Sequence, residues 1–131
     1  MPRDDVSRDV EETTLDLTLA NRLDAPRQAR AALAELSVEP PVLAKLRLLV
    51  TELVANAHKH GRGETLHARV SVKLGVVRAE VSDEGLGFTP PAPDRDPLKG
   101  EGWGLLLVRR MAARWGIASG RTLVWFEIDR M

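Results

Sequence analysis

The chain has 131 residues, of which 44% are hydrophobic, enough for one domain with one packed core. The 19 basic side chains balance 19 acidic ones, so the formal net charge of zero gives no electrostatic argument for binding nucleic acid or an anionic membrane surface. The absence of cysteine excludes disulfides, cysteine-based zinc sites and a thiol nucleophile.

The N-terminal segment, residues 1–12, is highly charged and lacks the apolar stretch of a signal peptide. We predict that it forms a disordered tail and that residues 13–131 form a single domain. No part of the sequence approaches the roughly 20 consecutive apolar residues of a membrane-spanning helix. These features predict a soluble, cytoplasmic protein.

The first half of the domain is predicted to contain one strand and two helices. Alternating leucines predict a strand over Thr13–Ala20. An alanine-rich amphipathic pattern predicts a helix over 25–36, with Asp24 as its N-cap and Pro26 in its first turn. A second helix is predicted to begin at the two prolines and to cover 40–60, with one apolar stripe formed by Leu46, Leu49, Val50, Leu53 and Ala57.

The second half is predicted to begin with a tight hairpin of two strands, 68–74 and 76–82, that turns at Gly75. Segment 83–102 is rich in glycine and proline without apolar periodicity, which predicts a long loop. The remaining predicted elements are a helix over 103–115, a turn over 116–120 and a strand over 121–128.

This order of elements predicts the fold class. Strands and helices do not alternate one for one, and the hairpin strands should be antiparallel. The pattern is typical of an α+β two-layer sandwich, with helices on one face of a mixed, mostly antiparallel sheet.

The first motif with chemical meaning lies in the second helix, where Glu52 and Asn56 are one helical turn apart at the edge of the apolar stripe. One interpretation is a solvated flank with an ordinary polar pair. The other is a site in which the Asn56 amide oxygen binds a hard cation and Glu52 orients or deprotonates a nucleophile.

The second motif is Asp83-Glu-Gly85-Leu-Gly87, which follows a predicted strand. It is compatible with an ordinary tight turn, since aspartate and glycine favour turns. It is equally compatible with a binding site, in which a carboxylate lies at the end of a strand and the glycines let the backbone approach a flat ligand.

The third motif is Gly100-Glu-Gly102-Trp-Gly104-Leu105, which opens a predicted helix. Free backbone amides at a helix N-terminus form an anion site, and glycines let phosphate oxygens approach the main chain. The motif partly matches a dinucleotide-binding fingerprint, but a proline-rich loop precedes it where that fingerprint needs a short turn after a strand. A glycine hinge is the other interpretation.

The histidines do not predict a zinc site. His58 and His60 point to different sides of the predicted helix, and His67 has no evident partner ligands.

Together, the three motifs in this order resemble the N, G1 and G2 boxes of the GHKL ATPase superfamily, which has the Bergerat fold. The compact size, the form of the first box from Glu52 to Gly61, and the tail from Trp115 through Thr122 to Trp125 look closest to the anti-sigma-factor serine kinase branch. The resemblance covers residues 13 to 128.

The resemblance implies ATP and Mg²⁺ as ligands and assigns a role to each motif residue. Asp83 would accept a hydrogen bond from the adenine amino group, and Thr122 would support the adenine end. Asn56 would bind Mg²⁺, and Glu52 would be the base that acts on a substrate hydroxyl. The other nucleotide-binding residues would be Gly85 and Gly87 beside the base and ribose, Gly100, Gly102 and Gly104 in the phosphate-facing hinge, and Leu105 after it.

The resemblance also implies a function and partners. The chain is expected to be an ATP-dependent serine/threonine protein kinase that phosphorylates an anti-sigma antagonist of the STAS type and also inhibits a sigma factor. Homodimerisation is left open. The alternatives are a non-catalytic ATP-binding module that sequesters a partner and, ranked lower, the catalytic domain of a histidine kinase.

Overall fold

The computed structural model describes residues 13–60, 63–84, 103–118 and 122–130. Within these segments the chain forms five strands and three helices. The strands are β1 (Thr13–Ala20), β2 (Thr65–Val72), β3 (Val76–Ser82), β4 (Arg114–Ile117) and β5 (Leu123–Asp129). The helices are α1 (Ala25–Leu33), α2 (Pro40–His60) and α3 (Trp103–Met111).

The strands form one sheet in the order β1-β2-β3-β5-β4. Each neighbouring pair of described strands is antiparallel, including the hairpin in which Val72 lies opposite Val77. The two central strands, β3 and β5, pair from Val76 opposite Asp129 to Ser82 opposite Leu123. The α+β prediction is therefore confirmed, and the described part of the sheet is wholly antiparallel.

The helices cover one face of this sheet because every second residue of the strands is apolar. Val70, Ala79 and Phe126 are nearly or fully buried on that face. Helix α2 packs against β2, β3 and β5, and it also contacts both other helices. Its predicted apolar stripe is confirmed: Leu46, Leu49, Val50 and Leu53 are at most 2% exposed, and Ala57 packs against the same cluster. Val54, fully buried, extends it.

The largest difference from the sequence prediction is at the end of α3. The helix ends at Met111 rather than continuing to residue 115, and β4 follows at Arg114–Ile117 where no strand was predicted. The amide of Ala113 donates a hydrogen bond to the carbonyl oxygen of Glu127 at 2.8 Å, and Trp115 lies opposite Phe126 in β5. Pairing with β5 therefore overrides the local helical pattern.

The other boundaries shift by a few residues. Helix α1 ends at Leu33, before the predicted residue 36, and β2 begins at Thr65, before the predicted residue 68. Asp24 occupies the N-cap position with a proline in the first turn, as predicted. Its carboxylate makes no capping hydrogen bond and instead accepts one from Gln28 Nε2 at 3.0 Å.

The face of the sheet turned away from the helices carries a network of ion pairs. Arg78 bridges Glu80 at 3.1 Å and Glu127 at 3.2 Å, and its guanidinium lies 4.3 Å from the centre of the Trp125 ring. Arg114 bonds both Glu127 and Asp129 at 2.6 Å. The network connects β3, β5 and β4 across the outer face.

This network predicts a loss of stability in acid. Hydrogen bonds from Arg114, and then from Arg78, hold the pKa of Glu127 below its ordinary value of 4.5. Since the pKa is lower in the folded protein, the stabilisation is present above about pH 4.5 and is lost as the pH falls through the folded-state value. We expect the urea unfolding midpoint to fall below pH 4.5 less steeply in Glu127→Gln than in wild type.

The control is Glu35→Gln, because Glu35 is exposed and forms no ion pair with another described residue. Its pH profile should follow that of wild type. A Glu127→Gln profile with the wild-type slope would contradict the prediction.

Candidate functional site

Two predicted site residues meet where the central strands end. Asp83 directly follows β3, and Thr122 directly precedes β5. Thr122 Oγ1 donates a hydrogen bond to the Asp83 carbonyl oxygen at 3.2 Å, and both residues are half-buried. Antiparallel pairing of Ser82 with Leu123 causes this contact between residues 39 positions apart. The structure therefore brings the start of the second motif and the start of the last strand together at one end of the β3–β5 pair.

Two other predicted residues, Glu52 and Asn56, lie on α2, the helix that packs across the strands bearing Asp83 and Thr122. Both side chains are half-buried. Neither forms a hydrogen bond or an ion pair with another residue in the described part of the chain. A carboxylate and an amide one helical turn apart and open to solvent are able to bind an external ligand through their oxygen atoms.

The donor atoms on α2 fit a magnesium ion better than a transition metal. Mg²⁺ takes oxygen ligands, usually one or two from the protein, with the remainder from phosphates and water. Asn56 supplies an amide oxygen and Glu52 a carboxylate one turn away. Within the segments that the structure describes, no group of three or more histidine, aspartate or glutamate side chains is arranged to hold a metal. A magnesium ion here would therefore depend on the phosphates of a nucleotide.

The third motif is only partly within the described residues. Gly104 lies in the first turn of α3, and Leu105 is half-buried and packs against the hydrophobic core. Helix α3 contacts α2, which places this helix beside the one that carries Glu52 and Asn56. Gly85, Gly87, Gly100 and Gly102 lie outside the described residues, so their roles stay predictions.

Sequence reasoning missed a set of polar contacts beside Asp83. The Glu84 carboxylate accepts hydrogen bonds from the Glu64 amide at 2.7 Å and from the Thr65 hydroxyl at 2.8 Å. Asn21 contacts both His58 and the backbone of Gly63. The only sequence signal was the place of Glu84 inside the second motif, because its partners are 19 or more residues away.

A concave region lies on the other face of the sheet. A groove of about 490 Å³ is open on the face of the sheet turned away from the helices, with Asp83 and Leu123 among its lining residues. Its other side chains include Asp16, Thr18, His67, Arg69, Glu80 and Ser82. Neither Glu52 nor Asn56 lines it, so this groove does not connect Asp83 with the predicted residues on α2.

Comparison with known proteins identifies the family. The family model for the histidine kinase-like ATPase domain matches residues 15–128. The chain belongs to this family. The matched range contains every predicted site residue from Glu52 to Thr122, and the match confirms the resemblance to GHKL ATPases.

A solved structure has the same fold as this ATPase domain. It is the crystal structure of the RsbU and RsbW domains of Rv1364c from Mycobacterium tuberculosis, with 23% sequence identity and a TM-score of 0.64. The alignment covers 90% of this chain but 31% of the length of that one. A comparison with curated proteins gave no match. Among the described helices, none is long and apolar enough to cross a membrane.

Proposed function

We propose that this histidine kinase-like ATPase domain binds ATP with Mg²⁺ and transfers the γ-phosphoryl group to a serine or threonine hydroxyl of an anti-sigma antagonist of the STAS type. The observation that carries the proposal is that Asp83 and Thr122 meet at one end of β3 and β5, the strands that α2 packs across, and that α2 carries Glu52 and Asn56, whose side chains pair with no other described residue.

Asp83 and Thr122 form the adenine end of the proposed site. Side chains alternate across a strand, and Asp83 is two residues beyond Val81, which is buried against the helices. Although Asp83, at the strand end, also borders the outer groove, we therefore expect its carboxylate on the helix side of the sheet, where it accepts a hydrogen bond from the adenine amino group. Gly85 and Gly87 would then lie beside the base and ribose.

The phosphate end is formed by α2 and the start of α3. Asn56 would hold Mg²⁺, which neutralises charge on the phosphates when it is bound. Gly100, Gly102 and Gly104 would let the phosphates approach the backbone, and Leu105 would follow them. This arrangement suits phosphoryl transfer, in which positioning and charge neutralisation dominate.

Glu52 is the proposed general base. It accepts the proton of the substrate hydroxyl as that oxygen bonds to the γ-phosphorus. The bond from the γ-phosphorus to its bridging oxygen breaks, and ADP leaves with the electron pair. The products are a phosphoserine or phosphothreonine on the antagonist, ADP and a proton held first by Glu52.

The partner assignment rests on the resemblance of the first motif and the C-terminal tail to the anti-sigma kinase branch. The same molecule would bind and inhibit a sigma factor until the antagonist competes for it. If the chain binds ATP and the sigma factor but transfers no phosphate to the antagonist, the non-catalytic module becomes the better description.

The nucleotide site is tested by Asp83→Asn. We expect ATP affinity to fall about 10- to 100-fold, because a hydrogen bond to a charged acceptor contributes roughly 1.5–3 kcal/mol. Isothermal titration with ATP and with GTP, each with Mg²⁺, measures the affinity and the preference for adenine.

The matched control is Asp16→Asn, since Asp16 is exposed on β1 and pairs with Arg69 at 3.5 Å on the outer face. This variant should bind ATP as wild type does. Equal wild-type affinities for ATP and GTP would be evidence against Asp83 as the residue that reads the base.

A further inference from the structure

The Glu84 carboxylate connects the end of β3 to the turn before β2. Its two oxygens are both used: Oε1 accepts from the Glu64 amide at 2.7 Å, and Oε2 accepts from the Thr65 hydroxyl at 2.8 Å. These two hydrogen bonds, the Thr65 one foremost, lower the pKa of Glu84 even though the residue is exposed. We call this pair of hydrogen bonds the Glu84 bridge.

The backbone is shaped to admit the carboxylate. Gly63 has a φ of +95°, a conformation that side chains other than glycine rarely adopt. A Cβ atom built at Gly63 would lie 2.5 Å from the Cβ of Glu84. Only glycine therefore allows the turn to approach Glu84 this closely.

Asn21 extends the contacts to helix α2. Its Nδ2 donates to the carbonyl oxygen of Gly63 at 3.0 Å, and this orients Oδ1 toward His58 Nδ1 at 2.7 Å. Since an amide oxygen only accepts, His58 Nδ1 is the donor in this contact. The backbone of Asn21 also donates to Glu64 O at 2.9 Å.

The end of β3 is thus held on both sides. The Glu84 bridge anchors it toward β2, and the hydrogen bond from Thr122 to the Asp83 carbonyl anchors it toward β5. Through Asn21 and His58, the same set of contacts reaches α2 two residues after Asn56. One chain of hydrogen bonds therefore links the strand end that bears the proposed adenine reader to the helix that bears the proposed magnesium ligand.

We propose that Glu84 is a positioning residue that holds Asp83 at the correct place to read adenine. The inference rests on the proposed function, because it assumes that Asp83 contacts the base. Recognition of a base by hydrogen bonds requires the protein group to be placed within about 0.5 Å of its ideal position. If the end of β3 lost its contacts on one side, Asp83 would be placed less accurately and would bind adenine less selectively. Glu84 itself need not touch the nucleotide.

Titration of wild type and Glu84→Gln with Mg-ATP and Mg-GTP tests this. Glutamine keeps the shape of glutamate but removes its charge, and only one of its terminal atoms accepts a hydrogen bond, so the Thr65 contact must reverse its direction or break and the Glu84 bridge is weakened. We expect ATP affinity to fall about 10-fold and the preference for ATP over GTP to shrink with it. Thr65→Val, which removes only the hydroxyl, should produce a smaller change in the same direction.

The control is Glu80→Gln, on the same strand, where the carboxylate pairs with Arg78 on the outer face. Its ATP affinity and ATP preference should be those of wild type. Urea unfolding of all variants separates placement from folding, because a purely structural role would lower the midpoint and leave the ATP-to-GTP ratio of the folded protein unchanged.

Two results would overturn the inference and are distinguishable. Glu84→Gln with the wild-type ATP-to-GTP ratio removes the positioning role and leaves the proposed function intact. Failure of the wild-type protein to bind Mg-ATP would overturn the proposed function and the positioning role together.

Discussion

Phosphate transfer to the antagonist should fall by about 10²- to 10⁴-fold in Glu52→Gln, while ATP affinity stays within a few-fold of wild type. The expected split follows from the role assigned to Glu52. A general base acts on the substrate hydroxyl in the transition state and contributes little to holding the nucleotide. Glutamine preserves the size of the side chain on α2 but cannot accept the proton.

The measurement is transfer of radiolabelled phosphate from ATP to a cognate STAS-type antagonist, alongside isothermal titration with ATP. Glu35→Gln again provides the control, because Glu35 is exposed and follows α1 rather than lying on α2. Transfer at the wild-type rate by Glu52→Gln would show that the base has been assigned to the wrong residue. Transfer by neither protein, with ATP bound by both, would favour the non-catalytic module.

Replacing Phe126 with alanine should destabilise the domain by about 3–5 kcal/mol. Phe126 is fully buried in β5 and lies opposite Ala79 on one side and Trp115 on the other. Truncation leaves a cavity between the sheet and the helices. This is a large fraction of the free energy, about 5–15 kcal/mol, that stabilises a typical domain. Since each kcal/mol lost lowers the melting temperature of a domain of this size by a few degrees, we expect a fall of roughly 10–20 °C.

Urea unfolding followed by circular dichroism measures this loss. Phe126→Leu fills more of the cavity and should be destabilised less than Phe126→Ala. Leu74→Ala, at a side chain that is 68% exposed, should change stability by at most about 0.5 kcal/mol. A Phe126→Ala midpoint equal to that of Leu74→Ala would contradict the described core.

The elements whose signal is local were predicted well. The strand Thr13–Ala20 and the helix Pro40–His60 have the bounds that the sequence predicts, because each carries an apolar period along its whole length. The hairpin at Gly75 and the buried stripe of α2 follow from the same local patterns. Strand β4 was missed because its four residues form a strand only by pairing with β5.

For the candidate site, the sequence alone determined which chemical groups are available: a carboxylate and an amide one turn apart on a helix, and an aspartate at the end of a strand. Their type and spacing follow from the chain itself, and so does the family. The tertiary structure decided which of these groups meet. Sheet pairing brings Thr122 to Asp83, and the fold brings Glu84 to Glu64 and Asn21 to His58, across 20 to 39 positions of sequence. Such contacts have no local period or motif, because they depend on how distant segments pack together.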